Sequence, residues 1–496
     1  MVRCGGRRDR AALMTIKPRP SQRADVCIIG AGPAGSALAI RLAQLGHDVC
    51  VIERATFPRS HIGESLSPGV WPQLELLGAG DAVAAAGFWP CRTSLVQWVG
   101  EAPVRRDLGP GGCLLVDRGR FDTLLLDCAR AHGVRVMQPA VVRRRERRDR
   151  GWHLNIESAD GIRPLDADFL ADASGRAAML RGRKQRAGLR TLALYGYWRG
   201  RTLPHEPRIE AGSDAWYWGV PVPDGTYNAM VFVDTAEFRA RRTTSLGASY
   251  HALIGRSGLM AGCRDVRLSG PVRAADATPY LDGDSIGPRN IKIGDAALAL
   301  DPLSSSGVQK AINTALSGAV VVNTLLRCLE QADAATYFYT GNLSEASDRH
   351  RSWAAGHYAV AAAARPGRFW QARATDVAAE PERIARPAGF GPVLSDDLAV
   401  TLSPEAMLAS EPCIVGDLVA MKAALRHPCL ERPVAFIGGW EVEALLRPLH
   451  RGVTIGALMD AWQIPLESKP AIVGWLLKHR VLTVPPSTGR ERRPPQ

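Results

Sequence analysis

Six residues, GAGPAG at Gly30–Gly35, constrain this chain more than any other stretch. They follow a short apolar run, DVCIIG from Asp25, whose unbroken hydrophobicity predicts a strand buried on both faces of a parallel sheet. After them comes SALAIRLAQLGHDV, a helical pattern with Gly46 as its stop, then an apolar strand at Val49–Ile52 that ends in Glu53. Strand, glycine turn, helix, strand and carboxylate within about 30 residues form a βαβ unit suited to a dinucleotide. Gly30 and Gly32 let the backbone approach a pyrophosphate at the helix N-terminus, where free N–H groups face the anion. Gly35 allows close helix–strand packing, and Pro33 and Ala34 complete the turn. Glu53, an acceptor-only side chain, is placed for ribose hydroxyls, with Arg54 beside it.

The unit occupies a small part of 496 residues, a length that calls for two or three domains. The fold class read from the pattern is α/β: a dinucleotide-binding, Rossmann-like domain with an inserted mixed β-sheet domain and a helical C-terminal region. The dinucleotide-binding domain is expected at 24–184 and 271–345. Alternating short strands at 185–270, such as Tyr227–Val233, predict the inserted sheet. A helical and irregular connector is expected at 346–410 and a small winged-helix-like module at 411–484. The flanking 1–23 and 485–496 read as a flexible leader and a disordered tail, with Met1 or Met14 as the start.

Composition mainly excludes. The net charge of +13 comes from Arg, 55 of the 62 basic residues, and only seven are Lys. The densest run, Arg143–Arg150, is broken by Glu146 and Asp149 and is expected at a turn before a strand, so it predicts a solvated face and no nucleic-acid partner. Ten Cys are scattered without CxxC or zinc spacing, which argues against a disulfide framework and a metal site. No run of about 18 apolar residues exists to cross a membrane. The expected location is cytoplasmic.

Further motifs narrow the class. They are FPRSHIGESLSP (Phe57–Pro68), VDRGRFD (Val116–Asp122), DASGR (Asp172–Arg176), WYWGVP (Trp216–Pro221) and GDAALALDPLSSSGV (Gly294–Val308). With GAGPAG and Glu53 they resemble the FAD-binding, glutathione-reductase-like superfamily of flavin-dependent halogenases and class A monooxygenases. Within it, the similarity is nearest to the monooxygenases of tryptophylquinone maturation. The resemblance implies FAD as cofactor and O2 as co-substrate, with electrons from NAD(P)H or a separate flavin reductase. It implies that Arg118 contacts the cofactor phosphates or adenosine, and that Asp172 and Gly294 line the cofactor. Asp295 would accept from a ribityl hydroxyl. The loop Pro302, Ser305, Ser306, Gly307 and Val308 would present helix N–H groups to the flavin edge. The HIGES loop would lie over the ring, with His61 as proton donor or acceptor and Glu64 orienting the loop as the second candidate for the chemistry. Trp216 and Trp218, two apart on one strand face, are the candidate substrate contacts.

Two chemistries compete for this fold. WYWGVP favours halogenation. Halogenases, however, use a Lys a few dozen residues after the GES segment, and here no Lys lies between Lys17 and Lys184. The matching stretch, GFWPCRTSLVQW, offers Cys91 or Arg92, and a guanidinium cannot form the chloramine-like species. The expected function is therefore FAD-dependent hydroxylation of an aromatic ring through a flavin C4a-hydroperoxide. The expected substrate is a tryptophan side chain carried on a peptide or small partner protein. Alternatives are a halogenase with an atypical site, a prenyl-chain reductase and a non-catalytic flavin-holding scaffold.

Overall fold

The computed structural model describes residues 22–374 and 395–484, apart from 101, 110, 242, 243, 264, 265 and 451. The expected leader and tail lie outside the described residues almost entirely. Strand β1 (Gln22–Ile29), helix α1 (Pro33–Gln44) and β2 (Val49–Ile52) form the first βαβ unit. Helix α1 starts at Gly32 with Pro33 in its first turn, where the missing N–H costs nothing, and it stops at Gly46, whose φ is +82°. Helix α2 (Arg118–Ala131), capped by Asp117, leads to β3 (Arg135–Met137), and β4 (Gly161–Asp172) returns beside β1. In the parallel core β4, β1, β2 and β3 lie side by side. Val26, Ile28 and Val51 are fully buried. Each such side chain contributes roughly 1.5–3 kcal/mol of burial, which explains the unbroken apolar runs.

Most of the Arg143–Arg150 run lies within strand Ala140–Arg148, and only Asp149 and Arg150 form the expected turn before strand Gly151–Ser158. The first strand pairs antiparallel with Gly151–Ser158; Arg143 meets Glu157 on that strand, and Arg148 reaches Asp166 on β4, one strand further. Its mostly exposed strand positions accommodate the cations.

Later strands build a second sheet. It contains β5 (Thr191–Arg199), β6 (Arg208–Ala211), β7 (Ala215–Pro221) and β8 (Tyr227–Asp234), ordered β5–β8–β7–β6. Thr93–Gln97 and Val104–Asp107 extend it beyond β6, so the sheet is not confined to the predicted 185–270. One face, with Leu194, Tyr217 and Val231, packs on Tyr250 and Ile254 of α3 (Leu246–Ile254). The opposite face carries Tyr195, Tyr197, Trp216, Trp218, Asn228, Met230 and Phe232, as the register requires.

Strand β9 (Asn290–Lys292) then adds to β4, and α4 (Gly307–Arg327) packs on α1. Helix α5 runs unbroken from Ala332 to Ala364, so the boundary expected at 345 falls inside a helix. It is followed by α6 (Arg368–Ala374). The irregular part of the connector at 375–394 lies outside the described residues. A long hairpin, β10 (Met407–Val415) and β11 (Leu418–Arg426), occupies sequence that the pattern did not resolve into strands. It docks on α4: Val419 N donates to Thr324 Oγ1 (2.9 Å) and Asn323 Nδ2 to Asp417 O (2.7 Å). Beyond it, α7 (Val442–Leu446), α8 (Ile455–Ala461) and α9 (Lys469–Lys478) enclose a separate core with strand Ala399–Leu402. Among the described residues no helix is long and apolar enough to cross a membrane.

Candidate functional site

The glycine turn has the geometry its sequence demands. Gly30 has φ +102°, and a Cβ there would stand 2.6 Å from Ala173 O. A Cβ on Gly35 would fall 1.8 Å from Gly30 O, so helix and strand meet without room for a methyl. Gly32 differs: its only close neighbour would be Arg59 Nη2 at 3.5 Å, which leaves an open hollow over the N-terminus of α1. Pro33 and Ala34 lie in the first buried turn of α1 beneath it. Glu53 is buried and braces the turn, accepting from Ala31 N and Ala55 N, both at 2.8 Å. Each of its oxygens retains acceptor capacity for a ribose hydroxyl.

Arg59 was not singled out by the sequence. Its Nη2 is 3.3 Å from Asp122, and its Nη1 is buried without a hydrogen-bond partner at the edge of the hollow. A buried guanidinium donor without a partner beside an open helix N-terminus fits a phosphate group. Arg54, by contrast, is exposed at the end of β2. Arg118 is also committed elsewhere: Nε and Nη2 hold both oxygens of Asp122, and Nη1 donates to Ile62 O (2.6 Å). Asp172 spends its carboxylate on the turn after β4, accepting from Ser174 N and Leu180 N. In this structure Arg118 braces the HIGES loop and Asp172 shapes a turn, because local backbone donors and a buried acid satisfy them first.

The HIGES loop and the loop that begins at Pro302 converge. A Cβ on Gly63 (φ +105°) would sit 2.8 Å from Arg118 Nη1 and 3.8 Å from Val308 Cγ2. Gly294 (φ +63°) passes against Ala34, and a Cβ there would approach its methyl to 2.8 Å. Asp301 accepts from Leu303 N and opens the turn containing Pro302, Ser305 takes φ +51°, and Ser306 caps α4 without a side-chain bond. The first N–H groups of α4, from Gly307 onward, are therefore open to an acceptor, and a Cβ on Gly307 would meet nothing. Asp295 is held by Lys310 Nζ (2.5 Å); burial opposes its charge, yet Lys310 and more distant Arg176 keep the carboxyl below its usual range. Lys310 is another residue that the sequence did not single out.

Glu64 is the hub between the domains. Its Oε1 accepts from Tyr197 Oη (2.6 Å) and Asn228 Nδ2 (2.8 Å) on the second sheet, while Oε2 accepts from Gly63 N (2.8 Å). It is buried, and with Tyr197 beside it the phenol is raised well above its ordinary value, first by burial and then by the carboxylate. His61 borders a cavity of about 270 Å³ that Glu64, Arg118, Tyr197 and Arg273 also line. Its Nδ1 faces Ile62 O at 2.9 Å, and a carbonyl only accepts, so the proton sits on Nδ1 and Nε2 is the free acceptor. Desolvation, then the Arg118 charge, lowers its pKa below the ordinary imidazole value.

Trp216 is a core residue, 1% exposed and stacked on Phe232 at 3.7 Å, with Trp98 edge-on. Trp98 in turn meets Trp370 at 5.5 Å. Trp218 shares the face but is only partly buried, and like Ile62, Leu303 and Tyr195 it packs against the same aromatic cluster. Of the predicted pair, Trp218 is the one with surface left to offer a ligand. The lysines of this half are engaged elsewhere. Lys184 lies over Tyr280 and donates to Arg176 O, Lys292 is buried against Asp282 (2.8 Å), and Lys310 holds Asp295. Cys91 pairs in register with Cys113. Among the described residues no group of His, Cys, Asp and Glu could hold a metal.

Comparison with known proteins adds to this geometry. An FAD-binding-domain family matches residues 23–190, and the tryptophan halogenase family matches 113–389. A tryptophan 2-halogenase of Chondromyces crocatus is 34% identical over 335 residues, 63% of this chain and 64% of that relative. A flavin-dependent halogenase of Armillaria mellea is 31% identical over 61% of this chain and 66% of its own length. The chain thus spans slightly under two thirds of these curated relatives. Among solved structures, the peptidyl tryptophan dihydroxylase QhpG, essential for tryptophylquinone cofactor biogenesis, superposes with TM-score 0.71 at 28% identity, covering 92% of this chain and 99% of its own. The flavin-dependent halogenase CmlS shares the fold, with TM-score 0.73 at 24% identity over 94% and 97%. FAD is the cofactor these similarities give, and the Gly32 hollow, the buried Arg59 donor, Glu53 and the open start of α4 fit it.

Proposed function

From a chain that belongs to the tryptophan halogenase family and uses FAD, we propose an oxygenase: a monooxygenase that hydroxylates an electron-rich aromatic ring, an indole foremost. The observation that carries this reading is the missing amine. Halide transfer in this fold needs a lysine beside the substrate, and the three lysines of the catalytic half are bound to Arg176 O, Asp282 and Asp295. The segment where that lysine would stand supplies Cys91 and Arg92. The QhpG likeness, which extends through the C-terminal unit, supports a tryptophan side chain presented on a peptide or small protein.

Bound FAD, once reduced, supplies dioxygen activation. The chain supplies the rest. Gly32, Arg59 and the start of α1 would hold the pyrophosphate, and Glu53 the ribose. The N–H groups opening α4 would offer donors and a pre-oriented dipole to a negatively charged edge of the cofactor without reorganisation. The aromatic face of the second sheet excludes water and offers Trp218 to a flat ring. Glu64 fixes the loop over this space through Tyr197 and Asn228. His61, neutral near pH 7 with a free Nε2, takes the proton released when the ring rearomatises.

Turnover with isotopically labelled dioxygen and a tryptophan-containing peptide tests this: the reading expects label in the product, and label-free product would refute it. Halogenation is the second reading, favoured by the 34% identity to a tryptophan 2-halogenase. Electrons are expected from NAD(P)H or a partner reductase, since no second glycine fingerprint is present for a nicotinamide cofactor.

A further inference from the structure

Behind the Pro302 loop, on the side of α5, lies a cavity of about 160 Å³ that the reading above does not use. This is below the roughly 300–1,000 Å³ of sites for drug-sized ligands and limits an occupant to about one ring. Its lining mixes apolar Leu189, Leu300 and Ala355 with polar Arg373, Asp301 and Tyr358, and with His350 and Arg351 of α5. Arg373 is a buried cation, its side chain 4% exposed. It donates to Phe369 O (3.1 Å) and Thr191 Oγ1 (3.2 Å), both neutral acceptors, and lies 3.8 Å over the Phe369 ring. The carboxylate that reaches it, Asp234, stands off at 3.9 Å. Asp301 offers little compensation, because Tyr358 Oη donates to both of its oxygens at 3.0 Å and Leu303 N to one. Each Nη of Arg373 thus has a neutral partner, and Asp234, Asp301 and Glu237 act on its charge without a direct hydrogen bond, so a desolvated guanidinium gains from an anion in contact.

We propose that this cavity binds a small aromatic carboxylate, with its carboxylate on Arg373 and its ring against Leu189, Leu300 and Ala355. The proposal is independent of which ring is oxidised at the flavin. Because Asp301 anchors the loop that begins at Pro302, an occupant also touches the base of the flavin-facing turn. A guanidinium–carboxylate pair on a buried cation selects a carboxylate over a neutral isostere.

Calorimetric titration of the FAD-loaded full chain with benzoate, benzyl alcohol and chloride tests it. Benzoate should bind, and benzyl alcohol should bind about tenfold more weakly or worse. Arg373→Gln should lose benzoate to a similar degree. Leu189→Trp starts from a residue 40% exposed at the cavity wall and should block the site without touching the core. Arg273→Gln, at the separate His61 cavity, should leave benzoate binding unchanged. No benzoate binding, equal binding of benzyl alcohol, displacement of benzoate by equimolar chloride, or full binding in Leu189→Trp would each overturn the proposal.

Discussion

Replacing Arg59 by Met should separate cofactor affinity from stability of the apoprotein. In the cofactor-free fold the Arg59 Nη1 donor is buried without a partner, a position that costs roughly 1–3 kcal/mol. Against that stand a 3.3 Å contact to Asp122, which Arg118 already satisfies, and a 4.7 Å stack over Phe57. Met keeps most of the stacking volume and removes the orphan, so apoprotein stability should be unchanged or slightly higher. With FAD the sign reverses. A charge-assisted hydrogen bond to phosphate is worth about 1.5–3 kcal/mol, equivalent to roughly 10- to 150-fold in Kd. Flavin-fluorescence titration measures Kd, and thermal unfolding of the apoprotein measures stability. An unchanged Kd would refute the assignment of Arg59 to the pyrophosphate, and a large fall in apoprotein stability would show that its role is structural.

Gly32→Val should abolish FAD binding, because a branched side chain fills the one part of the turn left open; protein that still purifies yellow would contradict this. Glu64→Ala should strand Tyr197 Oη and Asn228 Nδ2, destabilising by about 2–6 kcal/mol in chemical denaturation, while Glu64→Gln should lose less. Equal stability of both variants with the wild type would remove Glu64 as the link between the domains. For His61 the folded pKa is depressed, so the neutral form, and with it the acceptor Nε2, persists as pH falls past about 6.5 and is lost only below the lowered value. The acid limb of the kcat profile should lie below pH of about 6.5 and disappear in His61→Gln; an identical profile would exclude proton transfer by His61.

What the sequence made legible follows from where the constraints act. Gly30, Gly35 and Glu53 could be read because backbone clearance and strand-end placement leave a fixed spacing in one short segment. The cation proposed for the pyrophosphate could not be read that way. Arg54 adjoins Glu53 but points to solvent, whereas the chain turns Arg59 back over Gly32, and only the fold reveals which is which. Glu64 was visible inside its motif, but its partners lie 133 and 164 residues away. Alternation placed Trp216 and Trp218 on one face. It did not say that Trp98, Phe232 and Trp370 would bury the first and leave the second partly open. The hairpin Met407–Arg426 was missed because Ala, Ser, Pro and Glu interrupt its apolar positions, and its stability comes from docking on α4.

The central claim is that oxygen, and not halide, reaches the substrate ring. Mass spectrometry of tryptophan-peptide products formed with externally reduced FAD, O2 and excess bromide measures it directly. A single added oxygen and no bromine isotope pair are expected. Brominated product at a rate matching oxygen consumption would contradict it.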